Sequence, residues 1–247
     1  MNTRRQLRSL APLTLGAAAL AVGLGLAGTV RAASPTAAGQ AAAPTSAELR
    51  QRLAAMPAGD AARGQQAYDK HFCASCHGSA GMAPSLNWPH LAGQRAAYTY
   101  KLLQDYQRGL RHEGERALLM RDAVDGLPAQ TLADIAVWLA RQPLPREADT
   151  PRPAATVDAV QLVRHGDRQR LLTACASCHG ARGQGGVSAT PALAGQNPAY
   201  FVRTMLDYHG GARANDPARG MRAFAAKLTR AEIEALAAYY ADLPAKR

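Results

Sequence analysis

The chain has 247 residues, with 29 basic and 18 acidic side chains, a net charge of +11, and four cysteines. All four cysteines fall in two copies of the pentapeptide Cys-Ala-Ser-Cys-His, at 73–77 and 175–179, so no thiol is left over for a disulfide framework. The basic balance does not point to nucleic acid, because the chain opens on an export signal.

Arg4, Arg5 and Arg8 precede an uncharged run over 9–30 rich in Ala, Leu and Gly, and Val30-Arg31-Ala32 offers small side chains where a signal peptidase inspects them. Residues 1–32 are therefore expected to be a signal peptide cleaved after Ala32. Its removal takes away four arginines and leaves a mature chain of net charge +7 outside the cytoplasm. The alternative is a retained anchor, since the run is about long enough to span a bilayer; membrane association is thus a second expectation. Residues 33–59, rich in Ala and Pro, are expected to form a flexible tail with a short helix over 47–56.

A first unit is expected over 60–142, opening with a helix over 61–72 that leads into the first pentapeptide. In C-x-x-C-H the thiols lie about one helical turn apart and can each form a thioether with a haem vinyl group, while the histidine is directed under the iron. Cys73 and Cys76 are thus expected to attach one haem c with His77 as its proximal ligand, and Cys175, Cys178 and His179 a second. A redox dithiol would sit in a βαβ pattern, and no strand-like run borders either copy. A zinc site made from the two cysteine pairs uses the same ligand types but leaves both histidines and the shared flanks without a role.

A helix is expected over 96–108, ended by Gly109. The last helix of the unit places Leu132, Ile135, Ala136 and Leu139 at i, i+3, i+4, i+7. Residues 143–157, with Pro143, Pro145, Pro151 and Pro153, read as a stiff extended linker. The second unit, 158–247, is expected to hold helices over 167–174 and 198–209. A last helix follows with Ile233, Leu236, Ala237 and Tyr240 on one face, started by a capping box of Thr229 and Glu232. Nothing alternates like a strand, so the fold class is all-α. Units this small have small cores, and a buried porphyrin would supply apolar bulk.

The units are related by a repeat of 102 residues. Gly64 matches Gly166, Pro89 matches Pro191, and Leu91-Ala92-Gly93-Gln94 matches Leu193-Ala194-Gly195-Gln196. Tyr98 and Tyr200, Tyr106 and Tyr208, Gly109 and Gly211, and Arg111 and Arg213 continue the register; Met120 then pairs with Met221 after one residue is lost. The two methionines follow their histidines by 43 and 42 residues, ample chain to pass around a ring, and are the expected second axial ligands. A thioether there raises the reduction potential and fills the site. Met82 reads as a loop residue and Met205 as packing. His71, His90, His112, His165 and His209 do not recur and are expected at the surface or capping helices. Pro89 and Pro191, twelve residues after their histidines, are expected to offer carbonyls to the far imidazole nitrogens. The four recurring tyrosines are expected in the haem pockets or between the units.

With these motifs, from Cys73 to Gly78 and from Cys175 to Gly180, with the repeated Leu-Ala-Gly-Gln and the paired methionines, the chain resembles the class I dihaem cytochromes c, in particular the cytochrome c4 family. The resemblance covers roughly residues 60–243. It implies two tandem cytochrome c domains related by a pseudo-twofold axis, each with a His–Met haem. It also implies haem attachment in the periplasm and single-electron transfer between a quinol-oxidising complex and a terminal oxidase or reductase, without enzymatic turnover. The haem subunit of flavocytochrome sulfide dehydrogenases is similar, so an electron-transfer subunit docked on a dehydrogenase is the alternative. A dihaem peroxidase would need a displaceable ligand, which the paired methionines oppose. Residues 150–247 carry +6 against +1 for 60–148, so the second unit is the one expected to dock on an acidic partner.

Overall fold

Helices build residues 42–143 and 157–243, the part of the chain that the computed structural model describes, and the one strand-like feature among them is an isolated bridge between Asp167 and Leu172. The expected signal segment and nearly all of the expected linker lie outside the described residues. The first unit runs α1 (Ser46–Ala54), α2 (Ala61–Lys70), the single turn α3 (Ala74–His77), α4 (Ala96–Gln107), α5 (Glu115–Val124) and α6 (Ala129–Arg141). The second runs α7 (Val157–Arg164), α8 (Ala176–His179), α9 (Pro198–His209), α10 (Gly220–Ala225) and α11 (Arg230–Asp242). No helix among the described residues is long and apolar enough to cross a membrane.

In each unit the first long helix and the last one cross, and the helix following the pentapeptide packs beside the last. The apolar stripe legible in the sequence is the face that α6 buries: Leu132, Ile135, Ala136 and Leu139, joined by Trp138. α11 buries Ile233, Leu236, Ala237 and Tyr240 against Phe201 and Met205 of α9 and Leu162 and Val163 of α7. Burial of each large side chain is worth about 1.5–3 kcal/mol. The Thr229–Glu232 capping box is present at the start of α11, with Thr229 N–H donating to Glu232 Oε2 at 2.8 Å.

Gly64 lets α2 lie on α6: a Cβ there would stand 2.1 Å from the Asp134 carbonyl oxygen. The repeated Leu-Ala-Gly-Gln ties the loop after each pentapeptide to the end of the last helix. The N–H groups of Leu91 and Ala92 donate to Gly81 O at 2.7 and 3.0 Å, and Gly93 N–H to Leu139 O at 2.9 Å. Leu193 and Ala194 repeat the pair on Gly183 O, and Gly195 N–H donates to Tyr240 O at 2.9 Å.

The structure departs from the sequence reading in four places. The expected helix over 167–174 is not formed; α7 lies earlier and ends at Arg164. Gly166 then takes a left-handed φ of 69° and the Asp167 carboxylate accepts from the N–H groups of Gln169 and Arg170, so a tight loop enters the pentapeptide instead. In the described part of the expected tail 33–59 the expected short helix forms as α1, but it is packed, not free: Leu49 is buried and Arg52 reaches Gln104 and Asp105. α5 and α10 were not anticipated. His90 is buried, not at the surface, and its Nδ1 accepts from the N–H of Ala83 at 3.0 Å.

Candidate functional site

Each pentapeptide forms one helical turn that delivers its histidine inward. His77 N–H donates to Cys73 O and His179 N–H to Cys175 O, both at 3.0 Å, leaving the rings 4% and 6% exposed. His77 Nδ1 lies 3.1 Å from Pro89 O and His179 Nδ1 3.0 Å from Pro191 O. A carbonyl only accepts, so Nδ1 carries the proton in both rings and the Nε2 lone pair is free. Burial lowers both imidazoles below their ordinary pKa, against the carbonyl contacts, and keeps them neutral. His77 Nε2 is buried without a protein partner.

The two rings open onto a continuous cavity of about 430 Å³ that runs through both units. Cys73, Pro89 and Met120 line it in the first unit; Cys175, Cys178, Pro191 and Met221 in the second. Cys76 alone among the expected site residues is outside that lining. Met120 is carried by α5 and Met221 by α10. α5 explains why periodicity missed it: Leu118 and Leu119 face solvent, while Arg116 and Met120 face the cavity. Met205 packs in the second core, as expected.

The cysteines are not disposed as a dithiol or a zinc site. None of the four is in a disulfide; burial pushes Cys73 up to about 11 and also raises Cys175, the reverse of an activated thiolate. Among the described residues no group of three or more His, Cys, Asp or Glu side chains is gathered around a common point. A neutral imidazole with an unpartnered, buried Nε2, thiols beside it and an apolar cavity above it fit a covalent haem.

The units meet through polar side chains. Gln196 Nε2 donates to His90 O at 3.0 Å and its Oε1 accepts from His90 N–H at 2.9 Å. Asn197 Nδ2 donates to the carbonyls of Ser85 and Trp88, at 3.1 and 3.0 Å. Lys101 Nζ donates to Asn215 O at 2.8 Å and pairs with Asp105, which also accepts from Asn215 Nδ2 at 2.7 Å. Arg213 Nη2 donates to the Tyr98 hydroxyl at 3.3 Å. Arg111 and Arg213 also face the cavity. The repeat singled them out as landmarks, and their recurrence as charged residues was the signal that they belong to the site.

Comparison with known proteins gives concordant matches. Residues 61–142 match the family described as cytochrome c, and residues 168–239 the one described as cytochrome C oxidase, cbb3-type, subunit III. The chain is 36% identical to cytochrome c4 of Stutzerimonas stutzeri over 193 residues, 75% of this chain and 90% of that protein. It is 31% identical to the thiosulfate dehydrogenase electron acceptor of Stutzerimonas stutzeri strain A1501, over 70% of this chain and 80% of that one. The crystal structure of reduced recombinant cytochrome c4 from Pseudomonas stutzeri superposes with a TM-score of 0.67 at 34% identity, covering 76% of this chain and 100% of that one.

Proposed function

The chain belongs to the cytochrome c4 family of dihaem cytochromes c, and from that premise we propose that it carries single electrons in the periplasm from a quinol-oxidising complex to a terminal oxidase or reductase. Two haem c groups are covalently bound, and their irons accept and return one electron each. In this reading Cys73, Cys76, Cys175 and Cys178 would form the thioethers, His77 and His179 would give their Nε2 lone pairs to the metals, and Met120 and Met221 would supply the second ligands. The carbonyls of Pro89 and Pro191 hold each imidazole in the tautomer that leaves Nε2 free and fix its plane. The mature chain divides into units 60–142 and 158–247, behind the segment 33–59 and joined by 143–157.

The observation that carries this reading is the shared cavity, onto which both buried, neutral histidines and both methionines open. One path shared by the two haem sites suits electron transfer between them. A spectroscopic redox titration of the purified protein tests it. Two haem equivalents by pyridine haemochrome and a methionine-to-iron charge-transfer band are expected; fewer than two equivalents, or no band, would refute it.

A second reading, an electron-accepting subunit serving a dehydrogenase, is favoured by the relative whose name describes a thiosulfate dehydrogenase electron acceptor. It predicts co-purification with a dehydrogenase. In either case the more basic second unit docks on an acidic partner, and transfer rates fall as ionic strength rises.

A further inference from the structure

Arg111 and Arg213 occupy equivalent places in the repeat and are 4% and 1% exposed. Their guanidiniums lie over Tyr106 and Tyr208, 4.7 and 4.6 Å from the ring centroids. Each lines the cavity, and each has a buried Nη1 with no hydrogen-bond partner in the protein. A buried cation with an unmade donor is costly unless an anion meets it. Here two such donors from the two units share one cavity, and the charge of Arg213 bears on Arg111. The anions a haem brings are its propionate carboxylates, and the planar fork of arginine matches a carboxylate.

The two arginines are not equivalent in charge. Arg111 forms an ion pair with Glu113, both side chains nearly fully buried. The repeat places Asn215 where Glu113 stands, and Arg213 Nε donates to its neutral Oδ1 at 3.1 Å. Burial pushes the Glu113 carboxyl up, and the charges of Arg111 and Arg213 more than offset this, so it stays ionised. Asp207 of the second unit feels both arginines, Arg213 more than Arg111, but among the described residues it is ion-paired with neither. Among the described residues the first guanidinium is thus in a contact ion pair with a carboxylate of its own unit and the second is not. Reduction adds a negative charge to a haem, which a neighbouring uncompensated cation favours.

With Arg111 and Arg213 taken as the cations that meet the haem propionates, we infer that Glu113 holds the reduction potential of the first haem below the value its arginine alone would set. This rests on the reading that each unit holds one haem.

The test is spectroelectrochemical titration of the full-length holoprotein. Glu113→Gln is expected to shift one wave upward by about tenfold in the reduction equilibrium, or ~59 mV for a one-electron couple, and to move the other clearly less. Arg213→Gln is expected to lower the other wave, and Arg213→Lys, which keeps the charge, to recover part of the loss. A Met120→His variant identifies the wave of the first haem by the fall that bis-histidine ligation brings. Glu113→Ala, which removes the same charge, shifts the same wave in the same direction if the glutamine variant does not fold. Waves that stay put in the Glu113 variants, or both moving equally, overturn the inference. Fewer than two haemochrome equivalents in the wild type would instead refute the dihaem reading, so the two failures are distinguishable.

Discussion

Gln94 reaches out of its own unit to pair with Ala192 of the other: its Nε2 donates to the Ala192 carbonyl at 3.0 Å and its Oε1 accepts from the Ala192 N–H at 2.8 Å. Gln196 makes the mirror pair with His90. Ala192 and His90 each directly follow the proline whose carbonyl holds a histidine ring. The contact between the units therefore fastens the two segments that orient the imidazoles.

Replacing Gln94 by Met would leave the Ala192 amide and carbonyl buried without partners, at a cost of about 1–3 kcal/mol for each unsatisfied group. Urea unfolding of the holoprotein should show it as a lower midpoint, and a double-mutant cycle with Gln196→Met should show coupling. Additive losses of a few tenths of a kcal/mol would mean that the seam is not cooperative.

Met120→Ala should keep two haems by haemochrome and lose about half of the methionine-to-iron charge-transfer band, and the reduced protein should bind carbon monoxide. Met221→Ala should do the same for the other unit. An undiminished band in either variant would remove that methionine from the ligand set.

Lys101 gives a pH signature. Burial lowers its ammonium to about 8, with Asp105 opposing the shift and Arg111 and Arg213 adding to it; the ordinary value is 10.5. Between these values the unfolded chain binds more protons than the folded one, so stability rises with pH across that window, and below it the cost of the buried cation is present in full. The urea midpoint of the wild type should therefore climb from pH 8 to 10.5 more steeply than that of Lys101→Met. Parallel slopes would show that Lys101 titrates normally.

Gly64→Ala should cost about 3 kcal/mol, because the added methyl meets the backbone of α6 and not a movable side chain. Gly109→Ala meets nothing within 4 Å and should cost only the strain of its positive φ, about 1 kcal/mol. Equal losses in thermal unfolding would contradict the crossing of α2 on α6.

What could be read from the chain before its fold was known followed the physics of each signal. α9 and α11 were legible because their ends carry Pro198 and the Thr229 capping box, and α11 its apolar stripe. α5 was not, since its inner face serves a cavity and its leucines point outward. Gly64 and Gly166 align in sequence yet differ in role: one permits a helix crossing, the other ends a helix and turns the chain, so the register carried over a helix that is not there. His90 was misplaced because its burial comes from a partner segment 106 residues away, which no local pattern reveals. The ion-pair difference at Glu113 and Asn215 was present in the repeat, but its meaning needed the cavity.

A contact in which Gln94 meets the segment after Pro191 while Gln196 meets the segment after Pro89 is isologous, the kind that two identical subunits form about a dyad. Covalent fusion keeps that self-complementary arrangement and lifts its restriction, since in a true homodimer every substitution strikes both copies at once. One half of this molecule can therefore acquire an acid at position 113 while its twin keeps an amide at 215, an asymmetry closed to a symmetric pair.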